Sequence, residues 1–188
     1  FASSSDSTKA KLFKEFVNSH KNLNVLTPDL PNNLIGWSKL IEELCEKHNP
    51  VAFIGSSMGG FYSTFYARKL GAMDVLLNPA VLPAEGMKSY LGKNNNYATG
   101  EEFIMKNDEI EHLKLMEKKI KKNNYINVVL LESGDEVLNY KEAVSFYSGA
   151  HIKIISGGSH SLDSFGNYLD LVLKFIICLL YTSDAADD

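Results

Sequence analysis

The length, composition and charge of the chain narrow the class of protein. Its 188 residues, 45% of them hydrophobic and 22% charged, suffice for one domain with a substantial core and exclude an intrinsically disordered chain. The formal net charge of −4 gives no field that favours nucleic acid or an anionic lipid surface. Two cysteines cannot make a disulfide framework, and the first residues lack the pattern of a signal peptide. We therefore expect a cytoplasmic globular domain that binds neither nucleic acid nor membrane.

We expect that neither end of the sequence is that of a whole gene product. The chain opens at Phe1 without an initiator methionine, so we expect a fragment that is truncated at its N-terminus. Residues 178–188 resemble a translated sequencing adapter. We expect one natural domain over 1–177 followed by a non-native tail, with a natural helix end and acidic tail as the alternative.

Short apolar runs alternate with amphipathic stretches along the chain. In order, the pattern predicts a helix after the capping serines of 3–7, a strand over 24–27, a helix over 35–48, a strand over 51–54, a helix over 59–70 and a strand over 75–77. A longer polar stretch, 80–125, carries one helix near 110–122, and then come a strand over 127–131, a helix around 141–147, a strand over 151–155 and a helix from about 165. Four of the five predicted strands are continuous apolar runs, which is typical of a sheet covered on both faces. The sequence therefore predicts an α/β-hydrolase-like, doubly wound and mostly parallel sheet, with the polar stretch as a small helical lid.

A G-x-S-x-G motif with Ser57 at its centre directly follows the strand predicted over 51–54. A strand–turn–helix setting is that of a nucleophile elbow, in which a strained turn exposes the serine. Small neighbours let the backbone pass, so we expect Gly55, Gly59 and Gly60 to supply that room. The alternatives are a glycine-rich helix start with Ser57 as its cap and a phosphate-binding turn, although no Gly-Lys-Ser/Thr follows.

A nucleophilic serine needs a base, and His160 is the strongest candidate among the five histidines. It follows the strand predicted over 151–155 in a glycine-rich loop, and ligands of parallel sheets bind beyond the carboxyl ends of the strands. The other histidines are expected to be structural or solvated: His20 and His48 near helix ends, His112 on the lid helix, in solvent, and His151 at the start of a strand.

The base needs an orienting acid, and Asp135 follows the strand predicted over 127–131. Its close competitors are Glu132 at the strand tip and Glu136 at the start of the next segment, while Asp163 lies too near His160 along the chain. The order Ser57, Asp135, His160 is that of α/β-hydrolases and differs from the two common protease orders.

Several segments of the chain resemble the YqiA-like esterases, small bacterial α/β-hydrolases long counted as an uncharacterised family. The similarity runs from Phe1 to about 177, and its motifs lie at 55–60, 78–81, 90–92, 99–100, 134–138 and 157–160. The resemblance implies Ser57 as nucleophile, Asp135 as acid and His160 as base. It also implies an oxyanion hole made by the backbone N–H groups of Met58 and Phe1. Family members carry a strand ending His-Gly-Phe, so the first central strand is expected upstream of Phe1.

The predicted triad indicates a serine hydrolase of the carboxylesterase or thioesterase type (EC 3.1). We expect it to hydrolyse small carboxylic ester or thioester substrates through an acyl-enzyme, with no metal or other cofactor and with its oligomeric state open. Candidates for an acyl-facing wall, for which ordinary packing is an equal alternative, are Leu82, Met87, Tyr90, Leu91 and Phe103. Acyl transfer and a catalytically silent binding module remain open as other functions.

Overall fold

The computed structural model describes residues 7–18, 23–96, 100–120 and 127–184, the last six by their backbone only. Its helices are α1 (Thr8–Val17), α2 (Leu34–His48), α3 (Met58–Leu70), α4 (Ala84–Met87), α5 (Asn107–Lys119), α6 (Tyr140–Phe146) and α7 (Leu169–Asp184). Its strands are β1 (Ala52–Ser57), β2 (Met73–Pro79), β3 (Gly92–Asn95), β4 (Glu102–Met105), β5 (Asn127–Glu132) and β6 (His151–Ile155), and 3-10 turns cover Lys88–Tyr90 and Asp163–Tyr168. Within the described residues, none of these helices combines the length and the apolar character needed to cross a membrane.

The chain divides into two compact units, Phe1–Pro50 with Leu82–Lys121 and Val51–Val81 with Lys122–Asp188. The second unit holds a parallel four-stranded sheet in the order β1-β2-β5-β6. Every residue of β2 and β5 is buried, because these strands lie inside the sheet and helices pack on its faces. The predicted parallel α/β architecture is therefore confirmed.

Helices α3 and α6 pack against the sheet of the second unit. One cluster of its core joins the strands to α6 and consists of Leu76, Val129, Leu131, Ala143 and Tyr147. Each of these side chains is at most 3% exposed, so the sheet presents a continuous apolar face to the helix. Because all four strands are parallel, the carboxyl ends of β1, β5 and β6 lie at one edge of the sheet.

The first unit is mainly helical and includes a short antiparallel hairpin, β3–β4. Helix α1 begins where the capping serines predict it, because Ser7 Oγ accepts a hydrogen bond from the Ala10 N–H at 3.3 Å. Buried Glu109 connects α5 to the start of α2, since its Oε2 accepts from the Leu34 N–H at 2.7 Å. The hairpin was not predicted, because both strands have only four residues, β3 has no apolar side chain, and β4 is an apolar run without alternation.

The strand predicted over 24–27 is wrong. These residues have no strand conformation, and no described residue forms a sheet ladder with them. An apolar run becomes a strand only when a neighbour satisfies its backbone N–H and C=O groups, and the run itself does not supply that neighbour.

The prediction that His112 is solvated is wrong. Its Nε2 lies 2.7 Å from the hydroxyl oxygen of buried Ser38, and desolvation lowers the pKa of this half-buried imidazole. The reason is that α5 packs against α2 and turns this side of the helix inward. The spacing of buried Glu109, Leu113 and Met116 could have placed His112 at the flank of that packed face.

Candidate active site

Ser57 occupies the turn between β1 and α3. Its backbone has φ 54° and ψ −123°, a conformation that non-glycine residues adopt only under strain and mostly at functional sites. The Ser57 carbonyl accepts a hydrogen bond from the Ala80 N–H at 3.0 Å, which fixes the turn to the end of β2. Ser57 occupies the N-cap position of α3, but its side chain makes no capping hydrogen bond to the helix.

Two of the three motif glycines provide the room that the turn needs. A Cβ at Gly55 would collide with the backbone of Gly59 and with Ser63 Oγ. A Cβ at Gly60 would lie 2.6 Å from Pro79 Cβ. A Cβ at Gly59 would meet nothing within 4 Å, so the expectation that Gly59 also supplies room is wrong. The spacing alone did not show this, because it gives no direction for the missing Cβ.

Gly59 and Gly60 form a matched pair for a stability test. We expect Gly60→Ala to lower the free energy of unfolding by about 1–3 kcal/mol, because the added methyl overpacks the contact with Pro79. Gly59→Ala should leave it unchanged or raise it by about 0.5–1 kcal/mol, since alanine favours a helix over glycine. Urea unfolding of both variants measures the difference, and equal destabilisation by the two would contradict this account of the turn.

The structure brings Ser57, His160 and Asp135 into one hydrogen-bonded row. Ser57 Oγ lies 3.0 Å from His160 Nε2, and His160 Nδ1 lies 2.9 Å from Asp135 Oδ2. The Asp135 side chain is 2% exposed and that of His160 is 23% exposed. In such a row the carboxylate holds the proton on Nδ1, which leaves Nε2 free to accept the serine proton.

The Asp135 carboxylate is itself fixed by the backbone. Its Oδ1 accepts from the N–H groups of Val137 and Leu138, at 2.8 Å each. These two donors fix the carboxylate to the turn after β5, with Oδ1 at 3.0 Å and Oδ2 at 2.9 Å from His160 Nδ1. Asp163, which the sequence excluded, accepts from Ser159 Oγ at 2.7 Å instead of from the imidazole.

The side chains of Glu132, Glu136 and Asn78 surround the backbone of His160. The sequence offered the two glutamates only as competitors of Asp135 and did not single out Asn78. Glu136 Oε2 accepts from the His160 N–H at 2.9 Å, and Glu132 accepts from three N–H groups around it. Asn78 Nδ2 donates to the carbonyls of Ser159 and His160, at 3.0 and 3.4 Å. The available signal was weak: a polar residue at or near the end of an otherwise apolar strand.

Met58, one of the two predicted oxyanion donors, directly follows Ser57 in the chain. Met58 is the first residue of α3, so its N–H has no intrahelical acceptor and lies at the positive end of the helix dipole. Phe1, the other predicted oxyanion donor, lies outside the described residues. In the part of the chain that the structure describes, no group of three or more His, Cys, Asp or Glu side chains could hold a metal ion.

The predicted acyl-facing residues belong to the first unit and differ in exposure. Leu82, Tyr90 and Leu91 expose 42–46% of their surface, and Phe103 on β4 is half-buried. Met87 is only 7% exposed and, as placed, offers little surface to a ligand. Their role in substrate binding stays a prediction.

The parallel sheet, the turn after β1 and the flanking helices define the α/β-hydrolase fold. Est1E from Butyrivibrio proteoclasticus has a similar structure, with a TM-score of 0.72 and 17% identity over 98% of this chain and 85% of that one. Alpha/beta hydrolase domain-containing protein 10 from mouse has a TM-score of 0.68 and 13% identity over 96% of this chain and 87% of that one. An esterase domain from Rhodothermus marinus has a TM-score of 0.63 and 13% identity over 92% of this chain and 79% of that one. The model of the Uncharacterised protein family (UPF0227) matches residues 1–177. The chain belongs to this family, which is the YqiA-like family that its motifs resemble.

Proposed function

We propose that this chain is a serine esterase that hydrolyses small carboxylic ester or thioester substrates. The observation that carries the proposal is the row from Ser57 through His160 to Asp135, with distances of 3.0 and 2.9 Å. Its members come from the ends of three strands, β1, β6 and β5, of one sheet. The fold alone supports many activities, so the argument depends on this site.

In the proposed reaction, Ser57 Oγ attacks the carbonyl carbon while His160 Nε2 takes the hydroxyl proton. The tetrahedral intermediate collapses, and the imidazolium gives that proton to the departing alcohol or thiol. His160 then removes a proton from water, the hydroxide attacks the acyl-enzyme, and the proton returns to Ser57 Oγ. Asp135 keeps the imidazole in the required tautomer and stabilises the imidazolium.

The oxyanion of each tetrahedral intermediate is proposed to bind the Met58 N–H, with the Phe1 N–H as a second donor. One such donor typically contributes ~10²–10³ in rate. For the acyl side, the proposed contacts are Leu82, Met87, Tyr90, Leu91 and Phe103. A solved structure of Est1E has ferulic acid bound, at a TM-score of 0.66 and 15% identity, which makes esters of aromatic acids reasonable probes beside short aliphatic ones.

The proposal is tested by labelling with a fluorophosphonate, which reacts only with an activated serine, and by locating the mass adduct. We expect stoichiometric labelling of Ser57 that is lost in Ser57→Ala and slowed at least ~10³-fold in His160→Ala. Ser56→Ala, one residue earlier in β1, is the matched control and should be labelled like the wild type. A folded wild-type protein that takes no label would overturn the proposal in favour of a binding module. A labelled protein that transfers acyl groups to added alcohols in preference to water would indicate acyl transfer.

A further inference from the structure

A buried carboxylate on β5 accepts hydrogen bonds from the backbone around His160. Glu132, the last residue of β5, is 1% exposed. Its Oε2 accepts from the backbone N–H groups of Ser159 at 2.7 Å and Asp163 at 3.3 Å, and its Oε1 accepts from that of Ser164 at 2.9 Å. The Glu132 side chain therefore accepts hydrogen bonds from the backbone both immediately before and shortly after His160.

The glycines of these loops leave the space that this contact needs. Gly158 has φ +74°, and a Cβ there would fall on the Glu132 carboxylate. A Cβ at Gly134 would lie 2.5 Å from the Gly158 carbonyl oxygen. By contrast, Gly157 has the similar φ of +76° and nothing within 4 Å of its added Cβ. The backbone is thus closely fitted to Glu132 at Gly158 and open at Gly157.

Asn78 ties Glu132 and the His160 loop (residues 156–163) to β2. Its Oδ1 accepts from the Glu132 N–H at 2.9 Å, while its Nδ2 donates to the carbonyl of Ser159 at 3.0 Å. Burial raises the pKa of Glu132, but hydrogen bonds from Ser164 and from the backbone N–H groups of Ser159 and Asp163 outweigh it and lower the pKa below its usual value. The carboxylate therefore keeps its charge although it is buried.

The His160 loop needs such an anchor. It follows β6, an edge strand whose residues are mostly exposed, and it contains two consecutive glycines with positive φ. Glycine loses more conformational entropy on ordering than any other residue, so this loop is costly to hold in one conformation. Hydrogen bonds to an ionised carboxylate are about twice as strong as neutral ones and can meet that cost.

We propose that Glu132 is a positioning residue: it clamps the backbone of the His160 loop and so keeps the imidazole between Ser57 and Asp135. The kinetic part of this inference rests on the proposed esterase function, whereas the placement of the imidazole does not.

The decisive variants are Glu132→Gln, Gly158→Ala and Gly157→Ala. The amide nitrogen of glutamine cannot accept a hydrogen bond, so Glu132→Gln keeps the volume but loses part of the clamp. We expect it to slow fluorophosphonate labelling of Ser57 by about 10–100-fold, since a displacement near 1 Å of a reacting group costs about that much. Gly158→Ala should have a similar effect because its methyl displaces the carboxylate. Gly157→Ala, which adds comparable backbone strain without touching Glu132, should stay within about threefold of the wild type.

A second readout does not depend on activity. The downfield proton NMR resonance of His160 Nδ1–H reports the hydrogen bond to Asp135 directly. It should be present in the wild type and in Gly157→Ala, and lost or broadened in Glu132→Gln and Gly158→Ala at temperatures where all remain folded. If Glu132→Gln keeps the resonance and the labelling rate, the inference is overturned. If the wild type shows the resonance but takes no label, the esterase proposal fails, and the resonance in the variants still decides the role of Glu132. Should Glu132→Gln fail to fold, the comparison of Gly158→Ala with Gly157→Ala decides it.

Discussion

Asp135→Asn is expected to lower kcat/KM for a short aryl ester by about 10⁴-fold with little change in stability. The reason lies in how the carboxylate is held. Oδ1 already accepts from the N–H groups of Val137 and Leu138, so the amide oxygen must take its place. The amide nitrogen then occupies the position of Oδ2, 2.9 Å from His160 Nδ1, and donates a hydrogen bond to it. The amide oxygen lies 3.0 Å from the same nitrogen, but it is neutral and already accepts from two N–H groups, so it is a weaker acceptor than the carboxylate. The imidazole proton moves to Nε2, where it blocks acceptance of the Ser57 proton.

Hydrolysis of p-nitrophenyl acetate measures this effect, and Asp170→Asn is its control. Asp170 is an exposed carboxylate on α7 that pairs with Lys174, so its loss should leave the rate unchanged. The fluorophosphonate labelling rate of Asp135→Asn should fall in parallel, because both reactions need proton transfer from Ser57. An Asp135→Asn variant within tenfold of the wild type would mean that another group orients His160.

The second large expected effect is on the pH dependence of the unfolding free energy. It concerns Asp74, a residue of β2 that is 1% exposed. Neither of its oxygens has a hydrogen-bond partner among the described residues. Burial raises the pKa of Asp74 to about 7, against the opposing attraction of the Arg68 guanidinium. Between pH 4 and 7 the folded protein therefore holds a proton that the unfolded chain releases, and the free energy of unfolding falls as the pH rises through this range.

Asp74→Asn should remove this loss of stability, which amounts to about 4 kcal/mol between pH 3 and 8. We expect the unfolding free energy of the variant, relative to the wild type, to rise by up to that amount over this range. This comparison cancels any pH-independent cost of burying an amide. Urea unfolding at a series of pH values measures it, with Asp170→Asn as the exposed control. Parallel pH profiles for the wild type and Asp74→Asn would show that Asp74 has the same pKa in the folded and unfolded states and would contradict the prediction.

Most of the second unit could be predicted from the sequence because its strands are buried on both faces. Continuous apolar runs predicted strands over 75–77 and 127–131, which the structure extends to Met73–Pro79 and Asn127–Glu132. The ends of these strands at Asp74, Asn78 and Glu132 were missed because these polar residues interrupt the apolar pattern. Their burial depends on the neighbouring strands and helices, and periodicity within one strand does not report it.

The first unit was harder to predict, for identifiable reasons. Helix α5 was predicted near 110–122 but begins at Asn107, where Glu109 Oε1 accepts from the Lys106 N–H at 3.1 Å. A lysine at the cap position gives no sequence signal for a helix start. The strand predicted over 24–27 is wrong because the run has no described ladder partner. The hairpin β3–β4 was not predicted because it pairs a four-residue segment without apolar side chains with an equally short one.

The sequence by itself determined which residues follow the strands, and hence that Ser57, Asp135 and His160 would come to one edge of the sheet. Strand ends and turns are local features, and parallel strands bring their carboxyl ends together. Only the tertiary structure decided the task of each acid in 132–136. Asp135 contacts the imidazole, Glu136 the His160 N–H, and Glu132 the backbone on either side. Their partners lie 24–32 residues further along the chain, so the packing of two loops chooses among carboxylates that the local pattern cannot distinguish.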